Sequence, residues 1–131
     1  MHRAGLPFAF LAAAAFASGA PTPVLAQTAA FDGTYVGVSA RTINDGGRLG
    51  CPADAPATFV PHPLTIAQGR VQGQWRSDSN GPIQGTVAPD GSVNWRTNFQ
   101  GFSGRIANGV LTGRVTWRNG CNYEPVVWRK R

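Results

Sequence analysis

The fold of this chain follows from one stretch, Phe102-Ser103-Gly104-Arg105-Ile106-Ala107-Asn108-Gly109-Val110-Leu111-Thr112-Gly113-Arg114-Val115. Two copies of one five-residue pattern, apolar-any-Gly-any-apolar, stand on either side of Asn108-Gly109. Residues that recur at every second position share one face of a strand. Asn-Gly favours the type I′ turn of a tight hairpin. The stretch therefore predicts two antiparallel strands whose glycines lie on the apolar face.

The same pattern occurs three more times, in Phe31-Asp32-Gly33-Thr34-Tyr35, Val71-Gln72-Gly73-Gln74-Trp75 and Ile83-Gln84-Gly85-Thr86-Val87. Further turn signals are Gln68-Gly69, Pro89-Asp90-Gly91 and Asn119-Gly120. The strands predicted between them are Thr34–Arg41, Phe59–Ala67, Arg70–Ser77, Ile83–Ala88, Ser92–Asn98, Phe102–Ala107, Val110–Arg118 and Asn122–Arg129. Consecutive hairpins predict an all-β, antiparallel up-and-down meander of about eight strands, a small barrel or a barrel-like sandwich.

The first 26 residues have the features of a cleaved signal peptide. His2 and Arg3 give a basic start, Leu6 to Ala17 is apolar, and Val24-Leu25-Ala26 suits a cleavage site. The apolar run is shorter than the roughly 20 residues that a membrane-spanning helix needs. We expect a bacterial protein exported to the periplasm or outside the cell, with residues 27–131 forming one β-barrel-like domain and no transmembrane segment.

The chain has two cysteines, Cys51 and Cys121. Export places them in an oxidising compartment, so we predict one structural disulfide. A redox or metal pair is the alternative, but no Cys-x-x-Cys is present and His62 is the other soft ligand after residue 26. We therefore expect no metal site and no cofactor.

One connection, Thr42 to Pro63, is long for a small domain and contains Gly46-Gly47 and four prolines. Long loops in compact domains are usually functional or disordered. The disulfide is expected to pin this one to the start of the last strand. It is either a tethered irregular loop or a lid or partner-contacting loop.

The inward face of the predicted sheet is rich in aromatic residues. An eight-stranded barrel is filled by side chains or holds one small ligand, so these rings form either a packed core or the wall of a ligand site. We also expect each pattern glycine to leave room for a ring from a facing strand. The candidate ligand-lining residues are Tyr35, Trp75, Trp95, Trp117 and Trp128.

The outward face is basic, and the formal net charge is +6, or +5 without Arg3. Such a charge favours anionic lipid headgroups, lipopolysaccharide or acidic polysaccharide as partners, although a solvated face is the simpler interpretation. Nucleic acid is disfavoured because single strands need exposed aromatics among the arginines. The candidate contacts for an acidic partner are Arg76, Arg96, Arg105, Arg114 and Arg118.

The sequence contains none of the common catalytic motifs. The chain lacks Gly-x-Ser-x-Gly, His-Glu-x-x-His and a phosphate-binding glycine loop. His62 stands between two prolines, and several carboxylates fall in predicted turns, where Asp bonds its own backbone. The acids are Asp32, Asp45, Asp54, Asp78, Asp90 and Glu124. We expect no catalytic residues.

Three parts of the sequence resemble known proteins: Phe31 to Gly37, Cys121-x-Tyr123 and Trp128 near the end of the chain. They resemble a group of short, exported, uncharacterised bacterial β proteins, a likeness that implies no activity and no site. Phe102-Ser103-Gly104 and Leu111 to Arg114 are more loosely similar to strands of avidin-type barrels. The long Pro-rich loop and the cysteine pair depart from avidins, so no biotin site is carried over. Small periplasmic inhibitor barrels are similar in architecture alone.

The function expected from the sequence is that of an exported non-enzymatic binding module. Its ligand is a small molecule or a component of the cell envelope. The alternative is a protein-interaction or protease-inhibitor-like module.

Overall fold

The computed structural model describes residues 28–43, 50–52, 55–76, 80–118 and 120–131. The predicted signal peptide lies outside these residues, and so do residues 44–49 and 53–54 of the long connection. The strands are β1 (Gly33–Ile43), β2 (Thr58–Phe59), β3 (Leu64–Ala67), β4 (Arg70–Gln74), β5 (Pro82–Val87), β6 (Ser92–Arg96), β7 (Gln100–Ala107), β8 (Val110–Trp117) and β9 (Asn122–Lys130).

The strands form one closed antiparallel barrel. Each strand from β3 to β9 is hydrogen-bonded to the next, and β1 pairs with both β3 and β9. This ring of eight strands, with β2 as an extra short strand on β1, confirms the predicted all-β antiparallel barrel. Closure pairs the edges that a flat sheet of this size exposes.

Two hairpins turn with the geometry that their sequences predict. Gln68 and Gly69 have φ angles of 53° and 76°, and Asn108 and Gly109 repeat both values. A type I′ turn requires positive φ at both central residues, and glycine adopts it without steric cost. These turns, with residues 88–91, lie at one end of the barrel, which we call the hairpin end.

The predicted strand Phe59–Ala67 is wrong as a single strand, because it divides into β2 and β3. Pro61 and Pro63 lie in the gap, and proline has no N–H to donate to a ladder. The register nevertheless continues through the gap, since Arg41 pairs with Thr58 and Tyr35 pairs with Leu64. β2 and β3 are therefore the two ends of one chain path beside β1.

The barrel interior is a cluster of aromatic rings surrounded by aliphatic side chains. Trp95 and Phe102 are stacked, with ring centroids 5.2 Å apart and planes 9° apart. Trp128 meets the Phe102 ring edge-on at 5.4 Å. The fully buried side chains with the largest volumes are Trp75, Trp128, Tyr35 and Tyr123.

Paired glycines make room for the Phe102 ring. Gly104 on β7 lies directly opposite Gly113 on β8, and a Cβ on either would stand 2.5 Å from Phe102 Cζ. The ring thus lies flat along its own strand and the next one. The expectation that such rings come from a facing strand is wrong for Gly104, because Phe102 belongs to the same strand. For Gly113 on β8 the ring does come from another strand, β7.

The N-terminal pattern closes the hairpin end. Asp32 accepts hydrogen bonds from the backbone N–H groups of Gln68 (2.6 Å) and Gly69 (3.2 Å). The Tyr35 hydroxyl donates to the Phe31 carbonyl oxygen at 2.7 Å, and the Phe31 ring packs against the core. Phe31 and Asp32 therefore tie the first strand to the β3–β4 turn.

The disulfide Cys51–Cys121 is formed as predicted, with a sequence separation of 70. It lies at the opposite end of the barrel, which we call the loop end and which also carries residues 75–76, 80–81, 97–99, 118 and 120–121. Cys121 is buried, and the Tyr123 hydroxyl stands 3.6 Å from its sulfur. The bond fixes residue 51 of the long connection beside the start of β9.

Candidate functional site

The aromatic residues predicted to line a ligand site lie inside the barrel. Tyr35, Trp75, Trp95 and Trp128 are each at most 3% exposed, and Trp117 is half-buried at the margin of the core. The Trp75 ring centroid lies 5.8 Å from that of Trp95 and 6.4 Å from that of Trp128. The rings pack against one another. Their role as ligand contacts stays a prediction.

The interior retains buried hydrogen-bond donors that have no acceptor. Trp128 Nε1 donates to the His62 carbonyl oxygen at 2.8 Å. Trp75 Nε1, Trp95 Nε1 and Gln100 Nε2 are buried with no hydrogen-bond partner among the residues that the structure describes. Buried polar groups are nearly always satisfied by protein or water. These three donors are polar atoms of the interior for which the described residues supply no acceptor.

The outer face of the barrel carries a second arrangement, defined by strand register. Side chains that point outward from β4 to β8 stand opposite one another in two adjacent rows. The first row is Arg70, Thr86, Asn94, Ser103 and Arg114. The second row is Gln72, Gln84, Arg96, Gly101 and Thr116.

All of these residues except Gln72 line an open groove of about 620 Å³, together with Gly85, Trp95 and Phe102. A second depression of about 560 Å³ shares Arg70, Gln84 and Thr86 with it and continues it over β4. Volumes of about 300–1,000 Å³ are typical of ligand sites. We call this surface the basic groove, because three arginines and no carboxylate are among its lining residues.

The structure brings together some of the predicted arginine contacts and separates others. Arg96 and Arg114 line the basic groove. Arg76 lies over the Phe59 ring, with 4.2 Å from its Cζ to the centroid, and Arg105 donates to the Asp90 carbonyl oxygen at 3.3 Å. Arg118 is exposed just after β8.

Arg70 is a groove residue that the sequence analysis missed. It precedes Val71, which is buried, so strict alternation already places Arg70 outward. Its position opposite Thr86 fixes it at the end of the first row. The proximity of Arg70 to the other groove residues depends on the pairing of β4 with β5. The positions of basic residues in the sequence do not reveal that pairing.

One carboxylate approaches the groove from its margin. Glu124 on β9 accepts from Arg114 Nη1 at 2.7 Å, and the two side chains are 48% and 40% exposed. An exposed pair of this kind contributes about 0–1 kcal/mol to stability. Arg114 is therefore held at the end of the first row by an ion pair that costs little to break.

The other acids and the histidine within the described ranges have structural surroundings. Asp32 binds the β3–β4 turn, as described above. Asp90 accepts from the Ser92 N–H at 2.9 Å, and the same hydrogen bond is the main reason that the pKa of its carboxyl is lowered. The His62 side chain is exposed. Asp45, Asp54 and Asp78 lie outside the described residues.

Burial raises the pKa of both tyrosine side chains. It raises the pKa of the Tyr35 phenol, and the negative charge of Asp32 adds to this increase. Burial also raises the pKa of the Tyr123 phenol, while the nearby Arg76 opposes the change. Both phenols therefore stay protonated at neutral pH.

Fold and site together define a disulfide-bonded eight-stranded antiparallel barrel with a basic groove across five strands. The chain matches no protein-family model, no curated protein and no solved structure. The described residues contain no group of three or more metal-ligating side chains. They also contain no helix that is long and apolar enough to cross a membrane.

Proposed function

We propose that this protein is an exported, non-enzymatic binding module that holds an anionic component of the cell envelope in the basic groove. One observation carries this proposal: Arg70, Arg96 and Arg114 line a single depression together with neutral hydrogen-bonding side chains. Guanidinium groups bind carboxylate, phosphate and sulfate through charge-assisted, often bidentate hydrogen bonds.

The groove supports this role better than net charge does. A charge of +6 attracts anions to any part of the surface. The groove adds concave shape and uncharged donors and acceptors between the arginines, which a solvated face does not require. Single-stranded nucleic acid is a poorer fit, because stacking platforms are needed and the aromatic rings of Trp75, Trp95 and Trp128 face inward.

The proposal is tested with two anionic probes, soluble polygalacturonate and phosphatidylglycerol vesicles, with neutral dextran as the blank. The variant is Arg70→Gln/Arg96→Gln/Arg114→Gln. The matched control is Arg118→Gln/Arg129→Gln/Arg131→Gln, which removes the same charge outside the groove. We expect the groove variant to lose about tenfold or more in affinity for at least one probe, since charged hydrogen bonds are the strong ones.

The control variant is expected to retain most of that affinity. Equal losses in the two variants would show that net charge alone governs binding, and the groove would then have no special role. Circular dichroism and a thermal melt confirm that both variants are folded.

A small ligand inside the barrel is the second candidate function. Its support is the set of unpartnered donors on Trp75, Trp95 and Gln100. A ligand that presents acceptor oxygens to them would satisfy groups whose burial otherwise costs about 1–3 kcal/mol each. The test is a thermal-shift screen of small oxygen-rich ligands against the protein and Trp75→Phe. A ligand that raises Tm equally in the parent protein and in Trp75→Phe would contradict a binding site at the Trp75 donor.

The alternative role as a protein-interaction or protease-inhibitor-like module stays a prediction. It depends on the connection Thr42 to Pro63, of which residues 44–49 and 53–54 lie outside the described residues.

A further inference from the structure

We infer that the anion bound in the basic groove is a linear acidic polysaccharide that runs across the strands along the first row. This inference rests on the proposed function and specifies its ligand. Its basis is the order of side chains in the row: an arginine at each end, with Thr86, Asn94 and Ser103 between them.

The spacing of the end arginines requires an extended ligand. Arg70 is on β4 and Arg114 is on β8, so four strand spacings separate them along the sheet. Neighbouring strands are about 4.8 Å apart, which gives a path of roughly 19 Å around the surface. A single phosphate or sulfate is much shorter than this path. A chain with a charge on successive units can span it.

The centre of the row matches hydroxyl groups. Thr86 and Ser103 offer hydroxyls and Asn94 offers a carboxamide, and each of these groups both donates and accepts hydrogen bonds. Sugar hydroxyls have the same dual capacity. Neither row carries an apolar or aromatic side chain, so the groups that point outward along the rows are polar, charged or glycine.

The second row leaves space for a sugar ring. Gly101 stands between Arg96 and Thr116 across the pairing. A Cβ at Gly101 would meet its nearest neighbour, Thr116 Oγ1, only at 3.8 Å. The missing side chain therefore leaves the groove open beside Arg96, next to the centre of the first row.

Oligogalacturonates of increasing length test this inference. We expect affinity to rise from the disaccharide to the length that reaches from Arg70 to Arg114, and then to level off. Arg70→Gln should reduce the affinity of the long oligomers about tenfold and leave that of the disaccharide nearly unchanged, because only the long ones reach both ends. Gly101→Gln should weaken the binding of all lengths, and a thermal melt confirms that this variant is folded.

The companion probes are inorganic phosphate, inorganic sulfate and phosphatidylglycerol vesicles. Vesicle binding that depends on the groove arginines, without oligogalacturonate binding, would overturn this inference and leave the proposed function intact. Affinity that does not change with oligomer length would also overturn it. If the three-arginine variant binds every anionic probe as tightly as the parent protein, both proposals fail.

Discussion

The indole N–H of Trp128 donates to the backbone carbonyl of His62, with 2.8 Å between Nε1 and O. His62 lies between β2 and β3, where the prolines interrupt the ladder. The interruption directs this carbonyl to the core. A break that looks like a defect of the sheet thus supplies the acceptor for a fully buried tryptophan.

This hydrogen bond leads to a prediction about core tryptophans. Trp128→Phe and Trp75→Phe remove the same atoms from sites that are each no more than 1% exposed. Trp128→Phe also leaves the His62 carbonyl without its donor. Trp75→Phe removes a donor for which the described part of the chain offers no acceptor. We expect Trp128→Phe to cost about 1–3 kcal/mol more in the free energy of unfolding.

Urea denaturation of both variants under the same conditions measures that difference. The two substitutions act as controls for each other, because the lost volume is equal. Equal losses of stability would mean that the hydrogen bond contributes nothing beyond packing.

The pattern glycines give a second prediction. A Cβ on Gly104 would clash with the Thr112 carbonyl oxygen and lie 2.5 Å from Phe102 Cζ, while a Cβ on Gly101 meets only Thr116 Oγ1, at 3.8 Å. Gly104→Ala should therefore destabilise the protein by about 1–3 kcal/mol through overpacking. Gly101→Ala should be neutral or slightly stabilising, because alanine loses less backbone entropy. Thermal melts that show equal effects would contradict this account.

These glycines show how far the sequence predicts the fold. Alternation places Gly104 and Phe102 on one face, and Asn108-Gly109 predicts the hairpin that sets Gly104 opposite Gly113. The direction of the Phe102 ring does not follow, because it depends on how tightly Trp95 and Trp128 pack from other strands. Local pattern determines the face, and tertiary packing determines the rotamer.

The disulfide gives a third prediction. Cys51 and Cys121 close a loop of 70 residues. The chain-entropy model gives such a cross-link about 4 kcal/mol of stabilisation. Cys51→Ala/Cys121→Ala should therefore lower Tm markedly, and reduction of the parent protein should do the same. An unchanged melt in the double variant would show that the barrel holds without the cross-link.

The two tyrosines give a fourth prediction, on alkaline pH. Burial raises the pKa of Tyr35 and Tyr123 above the ordinary value of about 10. The folded state then binds more protons than the unfolded state at high pH. The stability contributed is fully present below pH 10, and it is lost as pH rises through the folded-state pKa values.

Absorbance at the phenolate band measures this, because the chain has only two tyrosines. We expect native protein to show less phenolate than a urea-unfolded sample at the same pH, with the missing signal appearing on unfolding. Coincident titration curves for the two samples would mean that neither phenol is protected.

The sequence predicts which arginines point outward, but it does not predict which of them share the basic groove. The sequence places Arg96 and Arg114 on the outward face, but it groups them with Arg76, Arg105 and Arg118, which lie elsewhere. Which arginines share a depression depends on the register of five strands, and a shift of one residue moves every side chain to the other face. Arg70 enters the groove only through that register.

The ion pair at the groove margin gives the last prediction. Glu124 neutralises Arg114 at the end of the first row, so an anionic ligand has to displace its carboxylate. Glu124→Gln frees the guanidinium and raises the net charge by one. Affinity for long oligogalacturonates should increase several-fold, and stability should change by less than about 1 kcal/mol because the pair is exposed.

Asp90→Asn makes the same change in charge outside the groove and should leave affinity nearly unchanged. An equal gain in both variants would assign the effect to net charge, and no gain in Glu124→Gln would place Arg114 outside the binding surface.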